Sequence, residues 1–217
     1  SLRQAVLDAC PGSTITFAPA VTPTITLTSG EILIDKNLTI TGPGANLLSV
    51  SGNNASRVLV SNAPTVTIFG LAITAGIASE GGGIVQLFGT LNLDGIDLSG
   101  NTATNFGGGI YTNGITTLNI ANSTISGNTA NGGTGGAGVN SNGPLNISNS
   151  TISGNNKVGG ASAAGGIWVG GLTTTIVNST ITNNSAPNGA GGIRMNGVVY
   201  LRNTIVSANS GGNLTTS

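Results

Sequence analysis

The chain has 217 residues, six Lys or Arg, six Asp or Glu and no histidine, so its formal net charge is zero and only 6% of it is charged. Such a chain cannot build a basic face for nucleic acid, and it has no imidazole for a triad, a metal site or a proton shuttle. It also lacks any run near the roughly 18 apolar residues of a membrane span.

Residues 2–9, LRQAVLDA, are the one good helical stretch, with Leu2, Ala5, Val6 and Ala9 on one face and Cys10-Pro11-Gly12 stopping it. Cys10 is the single cysteine, so no internal disulfide forms. Short β-branched runs follow at 24–27, 32–34, 38–40 and 58–60 and read as strands.

From residue 66 onward one pattern returns. LNIANSTISGN at 118–128 recurs as LNISNSTISGN, TTIVNSTITNN and VYLRNTIVSAN, with weaker copies at 66 and 91. Its anchor position is Ile68, Leu93, Ile120, Ile147, Ile176 and Leu201, at spacings of 25, 27, 27, 29 and 25. A second apolar column holds Ile73, Leu98, Ile125, Ile152, Ile181 and Val206, and a third holds Ile84, Ile110, Val139, Ile167 and Ile193. Gly, Ser, Thr and Asn fill more than half the chain. Even so, apolar columns at a fixed period exclude a disordered tail.

Three short strands per period describe one coil of an all-β, right-handed, single-stranded parallel β-helix, a β-solenoid of about seven coils. Equivalent side chains then stack about 4.8 Å apart. Residues 1–217 form a single domain: a cap region at 1–20 whose helix covers the first coil, irregular coils at 21–65, regular repeats at 66–210 and a tail at 211–217. Two Asn columns lie at strand ends and are expected to bond to unpaired backbone as an inward ladder. One is Asn122, Asn149, Asn178 and Asn203; the other is Asn101, Asn128, Asn155, Asn184 and Asn209. Asn122, Asn149 and Asn178 also open glycosylation triplets, where an inward side chain leaves no room for a glycan. Glycine pairs such as Gly108–Gly109 and Gly165–Gly166 are expected at corners needing positive φ. The stretches 129–136 and 156–164 are expected as adjustable loops.

The opening SLRQAV, with GSTITF at Gly12 and LTITGPGA at Leu38, resembles the CSLREA-type domain. The chain starts just after that motif's Cys and has Gln4 in place of its Glu. Gly107–Ile110 and Ile125–Asn128 are similar to the paired repeats of polymorphic outer-membrane proteins, with Ile or Leu where those carry Phe. The resemblance implies a bacterial right-handed β-helix, secreted or on the cell surface. The same superfold also hosts pectate lyases and other polysaccharide enzymes.

Chemistry-bearing residues are few. Asp8, Glu31, Asp35, Glu80, Asp94 and Asp97 are all the acids, and none follows Asp97. Asp94 and Asp97, the one close pair, are expected outward on adjacent faces, which suits neither a glycosidase pair nor calcium. No catalytic, cofactor or metal residue is therefore assigned. Val85, Tyr111, Asn140, Trp168 and Arg194 should form one outward strip. In it Tyr111 and Trp168 are roughly 10 Å apart, a spacing at which sugar rings can stack; the plainer expectation is that both cover loops. Thr124, Ser126, Thr151, Ser153, Thr180 and Thr182 make an outward hydroxyl array similar to that of ice-binding solenoids, interrupted by Asp97 and Ile205.

The leading expectation is a non-enzymatic structural or adhesive module, secreted or on the cell surface. An extracellular polysaccharide or cell-surface partner fits that role, and polysaccharide cleavage is the alternative. A chain without an initiator Met or an apolar leader is expected to be processed or part of a longer one. A polar tail after Leu201–Val206 leaves the last coil open, which favours either continuation of the chain or head-to-tail self-association.

Overall fold

The computed structural model describes residues 1–19 and 23–216, and it is a parallel β-solenoid of about seven turns with one short helix. Three ladders run the length of the axis. The anchor ladder starts at Ser13–Thr16 and Leu38–Thr41, passes through Thr117–Ala121, Leu145–Ser148 and Thr174–Val177, and ends at Val199–Arg202. The second runs from Thr24–Thr26 to Ile205–Ser207. The third runs from Ile32–Ile34 to Leu214–Thr216. Leu59–Phe69 and Ile84–Asp94 are longer strands that turn the corner between the third and anchor ladders unbroken.

Like stacks on like inside. Ile40, Ile68, Leu93, Ile120, Ile147 and Ile176 are all buried in the anchor column, as are Ile73, Leu98, Ile125, Ile152 and Ile181 in the second. Each such side chain contributes roughly 1.5–3 kcal/mol, so a chain with 3% aromatics still has a continuous core. Residues 24–65 pair in the same registers as the later coils, so the coils expected to be irregular differ only in their turns. The boundary expected between residues 20 and 21 lies outside the described residues.

A short fourth ladder joins Ile77–Glu80, Thr102–Phe106, Thr129–Ala130 and Asn156–Lys157. The two stretches expected as loops therefore begin as strands. The sequence hides this ladder because its inward positions are Ala78, Ala103, Ala130 and Lys157, too small or too polar to register as an apolar column.

The glycine pairs have a different cause from the expected one. Neither glycine of Gly108–Gly109 or of Gly165–Gly166 has positive φ. A Cβ on Gly108 would sit 2.3 Å from the Thr129 carbonyl oxygen, and one on Gly109 would sit 2.6 Å from that of Gly138 and 3.1 Å from Asn128 Nδ2. Close approach of the next coil demands glycine here.

Helix Leu2–Asp8 buries Leu2 and Val6, and its N-cap Ser1 accepts a hydrogen bond from the Gln4 N–H. Lys36 Nζ donates to the Leu7 carbonyl at 3.0 Å and satisfies the helix C-terminus. At the far end, the segment expected as a tail contains a strand: Leu214–Thr216 pairs with Ile193–Met195. Strand pairing needs only backbone groups and one inward apolar side chain, which Leu214 provides above Ile193. In the last coil Leu201 is 38% exposed and Ile205 60%. Among the described residues no helix is long and apolar enough to cross a membrane.

Candidate functional site

Two Asn ladders exist, and they face opposite ways. Asn101, Asn128, Asn155 and Asn184 are fully buried. Each Oδ1 of Asn128, Asn155, Asn184 and Asn209 accepts from both the backbone N–H and Nδ2 of the Asn one coil before it, at 2.9–3.0 Å. Each Nδ2 also donates back to a carbonyl of the second ladder, as from Asn155 to Ile125 at 2.9 Å. Asn209 finds its own acceptor in Asn213 Oδ1, which replaces the next rung and closes the series.

Asn122, Asn149, Asn178 and Asn203 are exposed, which corrects the expectation of an inward column. They sit at the corner after the anchor strand with φ of 51°, 50°, 52° and 47°. Asn tolerates that left-handed conformation, and it turns the side chain out. The amides still form a chain, Asn203 to Asn178 to Asn149 to Asn122, which ends on the Asp94 carboxylate at 2.8 Å. The steric argument against a glycan at these triplets therefore falls. A further ladder runs from the exposed Asn146 through the half-buried Asn119 and Asn92 to Thr67 Oγ1. Its signal was the Asn one residue before Leu93, Ile120 and Ile147.

The remaining acids do not converge. Asp94 terminates an amide ladder. Asp97 lies in the second ladder, in register with Ala72 and Thr124. Glu31 pairs with Arg57 at 2.5 Å. Among the described residues no three His, Cys, Asp or Glu come together as a metal cluster.

The outward face of the second ladder is more regular than expected. Asp97 and Ile205 do stand in one column, but the other column reads Thr26, Ser51, Thr74, Ser99, Ser126, Ser153, Thr182 and Ser207 without a break. The neighbouring column carries hydroxyls at five of its eight rungs, with Ala72, Asp97 and Ile205 at the others, and the rungs stand about 4.8 Å apart.

The strip on the third ladder is in register as read: Val85, Tyr111, Asn140, Trp168 and Arg194, continued by Thr215. It is not an open stacking platform. Tyr111 packs on Phe106 with ring centroids 5.2 Å apart, Asn140 Oδ1 accepts from the Gly136 N–H at 2.9 Å, and Trp168 is only 9% exposed. Phe106 and the glycine-rich segment around Gly135 close over the Tyr111–Asn140 part of it, while Arg194 and Thr215 at its far end stay half-exposed.

Lys157 was not foreseen. It occupies an inward position of the fourth ladder, is 1% exposed, and its Nζ donates to the carbonyls of Asn105, at 2.8 Å, and Gly132. The ammonium thus ties together loops of three successive coils. Desolvation by burial lowers its pKa from 10.5 to about 8. The charged form is therefore the costly one in the fold. Stability should be flat below pH 8 and rise between pH 8 and 10.5, where the folded chain has lost a proton that the unfolded chain keeps. Urea melts of the wild type minus those of Lys157→Met should show that rise, and a flat difference would contradict it.

Comparison with family profiles, with curated proteins and with solved structures finds no match.

Proposed function

We propose that this chain is a non-catalytic structural and adhesive β-solenoid module that works outside the cell. The observation that carries the reading is the repetition of one outward chemistry over eight rungs: an unbroken Ser/Thr column on one face and hydrogen-bonded amide ladders beside the next. Such a surface is rigid before it meets a partner, because each amide is already held by its neighbour. Weak contacts repeated along an axis add through effective concentration rather than through any one strong site. That is the physics of adhesion to a polymer or an ordered surface. An enzyme instead needs a few groups converging on one bond, and here Asp94 is engaged by Asn122 while Glu31 is engaged by Arg57.

One experiment tests both halves of this reading. The chain is incubated with pectin, alginate, chondroitin and neutral glucans, each cross-linked into gel beads, with and without calcium. Retention on at least one polymer without release of reducing ends is expected. Turnover that Asp94→Asn or Asp97→Asn removes would overturn the non-catalytic reading, and failure to bind any bead would overturn the adhesive one.

A further inference from the structure

Charge is unevenly divided along the axis. All six acids lie within residues 1–97, together with three bases, whereas residues 98–217 hold Lys157, Arg194 and Arg202 and no acid. Lys157 is occupied with backbone carbonyls. Arg194 has no carboxylate partner among the described residues.

Its surroundings are short of acceptors in the same place. Trp168, Arg194 and Thr215 follow one another on three successive rungs of a single column. Each carries a buried polar atom with no hydrogen-bond partner among the described residues: Trp168 Nε1, Arg194 Nε and Thr215 Oγ1. Unpaired buried donors are expensive, and a run of three is not the ordinary state of a folded surface. The indole and the guanidinium can only donate, so whatever completes the column must accept. Next to an arginine in a region with no acid, the complement is an anion.

We propose that the Trp168–Arg194–Thr215 column is a binding site for a carboxylate. The group is flat, which suits side chains stacked about 4.8 Å apart, and its two oxygens match the guanidinium fork. The indole N–H stands one rung before the guanidinium and the Thr215 hydroxyl one rung after it, so each flanks the fork that holds the anion. The carboxylate comes either from uronic-acid units of an acidic polysaccharide or from a small free acid; the first source rests on the adhesive reading above.

Trp168 is the only tryptophan in the chain, so its fluorescence reports on this column alone. The test titrates the intact chain with galacturonate, with polygalacturonate, and with dextran and sodium sulfate as controls at matched ionic strength. Both carboxylates should change the Trp168 emission, and dextran and sulfate should not. A polymer that binds more tightly per carboxylate than the monomer assigns the polysaccharide, whereas equal binding assigns the small acid. Arg194→Gln should weaken the response roughly tenfold to a hundredfold, as loss of a charge-assisted fork does. Arg194→Lys, which keeps the charge without the fork, should fall between. Thermal melts of each variant separate lost binding from lost folding. No emission change with either carboxylate, an equal response to sulfate, or an unchanged response in Arg194→Gln would overturn the site. If the chain still adheres to gel beads in that case, the site fails and the adhesive reading stands.

Discussion

Ile152→Asp unfolds the domain, whereas Thr151→Ala leaves its stability within about 0.5 kcal/mol of the wild type. The two residues are neighbours in one strand, and that strand puts them on opposite faces. Ile152 is fully buried between Ile125 and Ile181 of the adjoining coils, with apolar columns around it and no base to pair an aspartate. A carboxylate there is either charged and unpaired or protonated and badly placed. Its cost of several kcal/mol rivals the whole stability of a typical domain, about 5–15 kcal/mol. Thr151 stands on the outer face between Thr124 and Thr180 and loses only a half-exposed hydroxyl and methyl. Urea melts of the two variants decide the matter. Equal damage from both would mean that the faces have been assigned the wrong way round.

The second large effect separates the two Asn ladders. Asn155→Leu should cost roughly 3–6 kcal/mol, because it orphans several buried groups at once. The Asn128 backbone N–H loses its acceptor, Asn128 Nδ2 loses one of two, and the Ile125 carbonyl loses its side-chain donor. Asn149→Gly should cost no more than about 1 kcal/mol. That corner is solvent-exposed, its ladder bonds are 3.3 and 3.4 Å long, and earlier coils already carry Gly70 and Gly95 in the same left-handed conformation. Midpoints of urea unfolding measured side by side should differ widely. Similar losses would show that the exposed ladder bears as much of the fold as the buried one.

Much of the fold was legible because a solenoid writes its architecture as a period. Stacked coils put equivalent residues in contact, so Ile125, Ile152 and Ile181 had to be chosen together, and their spacing gives the ladder directly. What the period does not carry is direction at a corner. Alternation of faces can be counted along a strand, but a left-handed residue between strands resets the count. Asn122 and Asn128 therefore looked alike in sequence, and one column proved exposed and the other buried. The fourth ladder was lost for a related reason, since alanine and a single lysine give no hydrophobic signal. The candidate site was legible only as a strip: its order from Tyr111 to Arg194 could be read, but not the buried atoms of Trp168, Arg194 and Thr215 that lack partners.

From the sequence alone come the all-β repeat, its length, its inward columns and the absence of histidine, because each rests on composition or on the period. The uneven distribution of acids is there as well, although a net charge of zero conceals it. Only the tertiary structure decided that the glycine pairs answer a clash with the next coil, that Lys157 is drawn inward to three coils' loops, and that Leu214 adds a last rung. It alone showed that Trp168, Arg194 and Thr215 share a column of unpaired donors. All of these are contacts between residues some 20–50 positions apart. Their chemistry depends on how closely one coil approaches the next, a distance that no single coil contains.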